Sequence, residues 1–104
     1  METFSDIINE DKLTLVDFYA TWCGPCKQMH PVLRQLKDVF GDDIRIVKLD
    51  IDRNEAVVAT YQIQAVPTLM LVRGGHVLWR QSGAMSKSEL ENIVNAYLTS
   101  SYGT

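Results

Sequence analysis

Trp22-Cys23-Gly24-Pro25-Cys26 holds both cysteines of a 104-residue chain. Two thiols separated by two residues can close into a small disulfide ring and reopen with little backbone movement, which makes a reversible dithiol couple. A helical pattern begins at Gly24, so the pair stands at a helix start. Unpaired N–H groups and the helix dipole favour a thiolate there on the more N-terminal sulfur. Cys23 is therefore the candidate nucleophile. Cys26, one turn further in, should be more buried and less acidic, and is placed to attack a mixed disulfide formed at Cys23. Pro25 lacks an N–H that a first helical turn does not need, and its fixed φ stiffens the ring and influences the redox potential.

A purely structural disulfide explains the pair less well, since so small a loop removes little chain entropy from the unfolded state. Zinc is the other alternative. His30 follows Cys26 by one turn on the same face, but a closed site needs a fourth ligand and the sequence has no second cysteine pair. No metal is expected.

Working outward, 46% hydrophobic and 22% charged residues describe an ordinary globular chain, read here as one domain over residues 1–104 that is long enough to bury a core unaided. Thirteen acids against ten bases give a net charge of −3, and no basic run is present. Nucleic acid and membrane are thus not expected partners. No apolar run approaches bilayer length, and residues 1–10 lack the basic and apolar regions of a signal peptide. That points to the cytoplasm, or to the periplasm for a chain whose upstream signal has been removed.

Thr3 with Asp6 resembles a capping box, and Phe4, Ile7 and Ile8 have helical spacing, so residues 3–10 read as a short helix. Residues 13–20 are almost wholly apolar and β-prone, which suits a strand covered on both faces. Asp17 interrupts them. A carboxylate buried there should have its pKa raised toward the range useful for proton transfer. From Gly24, the residues Met29, Val32, Leu33, Leu36, Val39 and Phe40 form one helical stripe that Gly41 ends, with Pro31 expected to kink the helix. Residues 44–51 read as a second strand, with Ile44, Ile46, Lys48 and Asp50 on one face. The strand–helix–strand unit makes the two strands parallel neighbours, so Lys48 either reaches Asp17, to hold it ionised or relay its proton, or snorkels at the surface. Asn54 is the expected cap of a third helix that runs to about residue 61. Pro67 leads into a strand over 68–72, Gly74-Gly75 turn a hairpin into 77–81, and Gly83 breaks that strand. Ser86 with Glu89 caps a last helix whose Leu90, Ile93, Val94, Tyr97 and Leu98 face the sheet, and residues 99–104 read as frayed. His76 reads as a solvated turn neighbour and His30 as a partly exposed helix residue.

With the motif placed between the first strand and its helix, and with VDF at 16–18, WCGPCK at 22–27, Pro31, VKLDID at 47–52, VPTL at 66–69 and SGAMSK at 82–87, the chain resembles the thioredoxins over nearly its whole length. The resemblance implies an α/β thioredoxin fold: a central mixed β-sheet flanked by helices on both faces, here with its N-terminal edge strand shortened or absent. It implies that Cys23 attacks, that Cys26 resolves, that Asp17 assists proton transfer at Cys26 and that Lys48 is the partner of Asp17. Trp22, Gly24 and Pro25 would support and tune the couple. Val66–Pro67 matches the family's cis peptide, which holds an extended substrate segment through the Val66 backbone, and Trp22, Gly83 and Ala84 match the apolar rim on which partners dock. The implied activity is reduction of protein disulfides. No cofactor would be bound, and electrons would come from NADPH through thioredoxin reductase, a flavoprotein, to a monomer that passes them to disulfide-containing clients. Three positions depart from the common pattern: Tyr19 replaces tryptophan, Ala65 a glycine and His30 a small apolar residue.

Two rivals share the motif. An oxidase or isomerase would use the same fold, although Gly24-Pro25 resembles the reducing members. A binding subunit would use the fold without its chemistry, although the complete set of Asp17, Cys23, Cys26 and Pro67 favours the enzyme.

Overall fold

Alternation along one buried strand organises the whole molecule. In the computed structural model, which describes residues 2–99, Leu13–Tyr19 forms β1, buried at every position but the last. A strand with no solvated face needs neighbours on both edges and layers on both sides. β1 pairs in parallel with β2 (Ile44–Asp50), from Leu13 opposite Ile44 to Tyr19 opposite Asp50. On its other edge it pairs antiparallel with β3 (Thr68–Arg73), which pairs antiparallel with β4 (His76–Ser82). The order is β2-β1-β3-β4, a mixed sheet.

Leu13 and Leu15 point to one side, where they pack with Ile44, Ile46, Leu69 and Leu71 beneath Met29, Leu33 and Leu36 of α2 (Gly24–Phe40) and Leu90 and Val94 of α4 (Lys87–Leu98). Val16 and Phe18 point to the other, where they meet Ile7 and Ile8 of α1 (Phe4–Ile8) and Val57 and Val58 of α3 (Glu55–Thr60). Each fully buried leucine contributes about 2–3 kcal/mol through removal of apolar surface from water. The period of two therefore decides which helix each strand residue holds.

Both capping boxes form, Thr3 with Asp6 and Ser86 with Glu89. Asn54 departs from expectation. It stands at the N-cap of α3, but its side-chain amide donates to the Asp50 carbonyl at 2.8 Å instead of accepting a helix N–H, because a single 3-10 turn at Ile51–Arg53 brings that carbonyl within reach. Val39 departs as well, being 48% exposed at the margin of the α2 stripe. Residues 100–104, most of the stretch read as frayed, lie outside the described residues. Among the described residues no strand precedes α1, so β2 forms one edge of the sheet. Arg45 on that edge makes a forked ion pair with Glu2 and reaches Glu10 at 3.6 Å.

The β3–β4 turn closes on the loop between α1 and β1. The Gly74 N–H donates to the Glu10 carbonyl and the Gly75 N–H to the Ile8 carbonyl, both at 2.8 Å. Gly75 has φ +87°, and a Cβ there would lie 2.8 Å from Asn9 Oδ1, so both conformation and space require glycine.

Candidate active site

Because β1 ends at Tyr19 and α2 starts at Gly24, the intervening turn delivers Cys23 to the helix N-cap. There its sulfur accepts the Cys26 N–H at 3.2 Å, the position a capping oxygen would occupy. The two sulfurs are joined as a disulfide across a Cα separation of 5.3 Å. Cys26 is wholly buried and Cys23 is 6% exposed, the asymmetry expected of an attacking and a resolving thiol. Gly24 and Pro25 form the solvent-facing first turn. Trp22 is 68% exposed, and its indole N–H donates to Asp52 Oδ2 at 3.2 Å. Sequence reasoning had no means of pairing residues 22 and 52; only the crossover that sets β2 beside β1 brings them together.

The opposite wall is the cis Val66–Pro67 bond. The Val66 carbonyl oxygen lies 3.7 Å from Cys23 Sγ, and the Pro67 carbonyl accepts the Gly83 N–H at 2.8 Å. Gly83 supplies φ +101°, which a side chain would resist. Thr68 Oγ1 donates to the Ala65 carbonyl at 2.6 Å and shares a 2.9 Å hydrogen bond with Ser82 Oγ. The Arg80 guanidinium on β4 donates to the Tyr61 carbonyl and, at 2.8 Å, to that of Gln62. Arg80 was not read as a site residue, since nothing local marks it. Between this wall and Trp22 lies a hollow of about 210 Å³ lined by Ile51, Ile63, Gln64, Ala65 and Val66. Gly83 and Ala84 are exposed beyond it.

Asp17 follows Leu13 and Leu15 on the α2 side of β1, at the end of the strand that leads into the cysteines. It is fully buried, and neither carboxylate oxygen has a hydrogen-bond partner. Burial disfavours the charged form and pushes its pKa up to about 6, against a smaller opposing pull from the Lys48 charge. The expected direct contact with Lys48 does not form. Lys48 stands opposite Asp17 in register, but its ammonium donates to His30 Nδ1 at 2.8 Å, because the longer side chain extends past the sheet rim to α2.

A redox-capable disulfide at a helix N-terminus, a facing cis-proline and a buried carboxylate on the strand that leads into the cysteines form an arrangement that can exchange disulfides with an extended polypeptide. The thioredoxin family model matches residues 1–96. The chain belongs to the thioredoxin family. It is 40% identical to thioredoxin of Haemophilus influenzae over 94 residues, covering 90% of this chain and 88% of that one. The crystal structure of thioredoxin from Trypanosoma brucei brucei superposes with a TM-score of 0.85 at 29% identity, covering 93% of this chain and 84% of that one. A chain from a structure concerning thiol resolution in yeast mitochondrial 1-Cys peroxiredoxin via glutathione/thioredoxin systems superposes with a TM-score of 0.80 at 34% identity, covering 88% and 85%. Like other thioredoxins, the chain is a thiol–disulfide oxidoreductase that reduces protein disulfides through Cys23 and Cys26, and thioredoxins need no bound cofactor for that exchange.

Proposed function

We propose that the reduced chain attacks client disulfides with the Cys23 thiolate, expelling one client sulfur as thiolate and forming a mixed disulfide. Cys26 then gives its proton to the Asp17 carboxylate and attacks Cys23 Sγ. The second client thiolate leaves, the two electrons of the dithiol now reside on the client, and Cys23 and Cys26 are joined. Val66 offers its backbone to an extended client segment, with Pro67 behind it and Trp22, Gly83 and Ala84 forming the apolar rim. The observation that carries this reading is the Cys26 N–H directed at Cys23 Sγ, since a donor fixed on that sulfur stabilises the thiolate over the thiol.

Resetting the couple requires two electrons from an external dithiol. A flavoprotein thioredoxin reductase drawing on NADPH is the donor we assign, acting on a monomer in a reducing compartment, the cytoplasm. Peroxiredoxins are one client class, by likeness to the yeast neighbour.

The test is to mix C26S, reduced, with a disulfide-bonded protein and analyse the products by non-reducing electrophoresis and mass spectrometry. A stable adduct through Cys23 is expected. An adduct through Cys26 in C23S, with none in C26S, would reverse the two roles. The reduction potential of the couple separates a reductase, which lies below the glutathione range, from an oxidase or isomerase at or above it.

A further inference from the structure

An imidazole and an ammonium are hydrogen-bonded to each other across the sheet rim, and a buried carboxylate without a hydrogen-bond partner stands beside the ammonium in the strand register. The Lys48 ammonium donates across from β2 to His30 Nδ1 at 2.8 Å. Asp17 stands beside Lys48 in the parallel register, its two carboxylate oxygens buried and without a hydrogen-bond partner. The Tyr19 ring meets the imidazole edge-on with centroids 6.1 Å apart. His30 and Lys48 open on a groove of about 250 Å³ whose other walls are Leu33, Arg34, Lys37 and Ile46.

An ammonium next to a buried carboxylate that lacks any other partner gains most by turning to it. In this chain it is bonded elsewhere. We propose that His30 is a positioning residue for thiol–disulfide exchange: its Nδ1 tethers the Lys48 ammonium and keeps it off the Asp17 carboxylate, which stays an unpaired proton acceptor. This rests on the reading that Asp17 takes the Cys26 proton.

A carboxylate bonded to an ammonium is a weak base, whereas one left unpaired in an apolar site accepts a proton close to neutral pH. The tether requires a neutral imidazole with its proton on Nε2. Burial, then the Lys48 and Arg34 charges, push the His30 pKa down, which favours the neutral ring, and an ammonium can only donate to Nδ1. Lys37 is engaged elsewhere, donating to the Gly41 and Ile44 carbonyls at 2.8 Å each. None of the groove residues is acidic, so within the groove the imidazole is what competes with Asp17 for the ammonium.

The experiment is a titration of the Asp17 carboxyl by ¹³C NMR in the oxidised chain, for the parent, H30L, H30N, K48M and the H30L/K48M pair. H30L should lower the Asp17 midpoint by about one pH unit as the released ammonium approaches. H30N, whose Oδ1 stands where Nδ1 stood, should keep the parent midpoint. K48M should raise it, and in that background H30L should add nothing. A midpoint unchanged or raised in H30L, or the same fall with Lys48 absent, overturns the proposal. H30A carries the same expectation should H30L not fold. The rate at which Cys26 resolves a mixed disulfide at Cys23 is measured separately in D17N. An unchanged rate there removes the role of Asp17 but leaves the His30 tether to be decided by the titration alone.

Discussion

The two walls of the active site are held in opposite ways. On the α2 side the contact that tunes the chemistry is local: Cys23 and Cys26 are three residues apart, and the helix they begin supplies the N–H that the sulfur accepts. On the Pro67 side almost every restraint is remote, with Arg80 holding the carbonyls of Tyr61 and Gln62, Gly83 holding Pro67 and Ser82 meeting Thr68. Stabilisation of the Cys23 thiolate is thus encoded within one helical turn, while the surface that presents a client depends on β4 remaining in place.

Damage to the local wall should abolish turnover and damage to the remote wall should weaken binding. The largest effect is expected from C23S, which removes the attacking sulfur and should lower disulfide reduction by roughly three orders of magnitude or more in a turbidimetric assay with a disulfide-bonded protein, without loss of the fold.

D17N should sharpen the comparison by separating catalysis from stability. The Asp17 pKa is lifted from 3.8 to about 6, so between those values the folded chain binds more protons than the unfolded one, and stability falls as pH rises through that window. The cost is fully present above the folded pKa and absent below the unfolded one. Urea unfolding of oxidised D17N should therefore show a gain of up to about 3 kcal/mol over the parent near pH 8, shrinking to nothing at low pH, while resolution by Cys26 slows.

On the remote wall, G83A places a side chain at φ +101° and should cost about 1–3 kcal/mol in thermal or urea unfolding, with a raised KM for protein substrates. R80A removes both donors to the 61–62 carbonyls from an exposed position, and should cost about 1 kcal/mol and raise KM with kcat nearly unchanged. A fall in kcat alone in R80A would show that the two walls are coupled and not separable.

The same division explains what could be read from the sequence. The apolar run of β1, the stripe of α2 apart from Val39, and the capping boxes at Thr3 and Ser86 are patterns a few residues long, and each was legible in the sequence. The burial of Asp17 was legible too, since its neighbours on both sides are apolar. Lys48 was placed on the correct face opposite Asp17, but pairing along a strand fixes Cα positions and not where a four-carbon side chain ends. Its choice of His30 depended on how α2 lies across the sheet. Asp52 and Arg80 were missed for the same reason, each acting across 18 or more residues of chain. Asn54 was misread because its motif did not reveal the 3-10 turn before it.

Gly75 carries a consequence that reaches the far end of the chain. Asn9, whose Oδ1 occupies the space a Cβ at position 75 would need, also donates through its amide to the Ser5 carbonyl at 2.8 Å and so finishes α1. The Asn9 side chain therefore stands in the volume that a side chain at position 75 would need. A smaller residue at position 9 would clear that space but not the backbone, which at φ +87° opposes any side chain, so glycine should persist at the hairpin tip whatever stands at position 9.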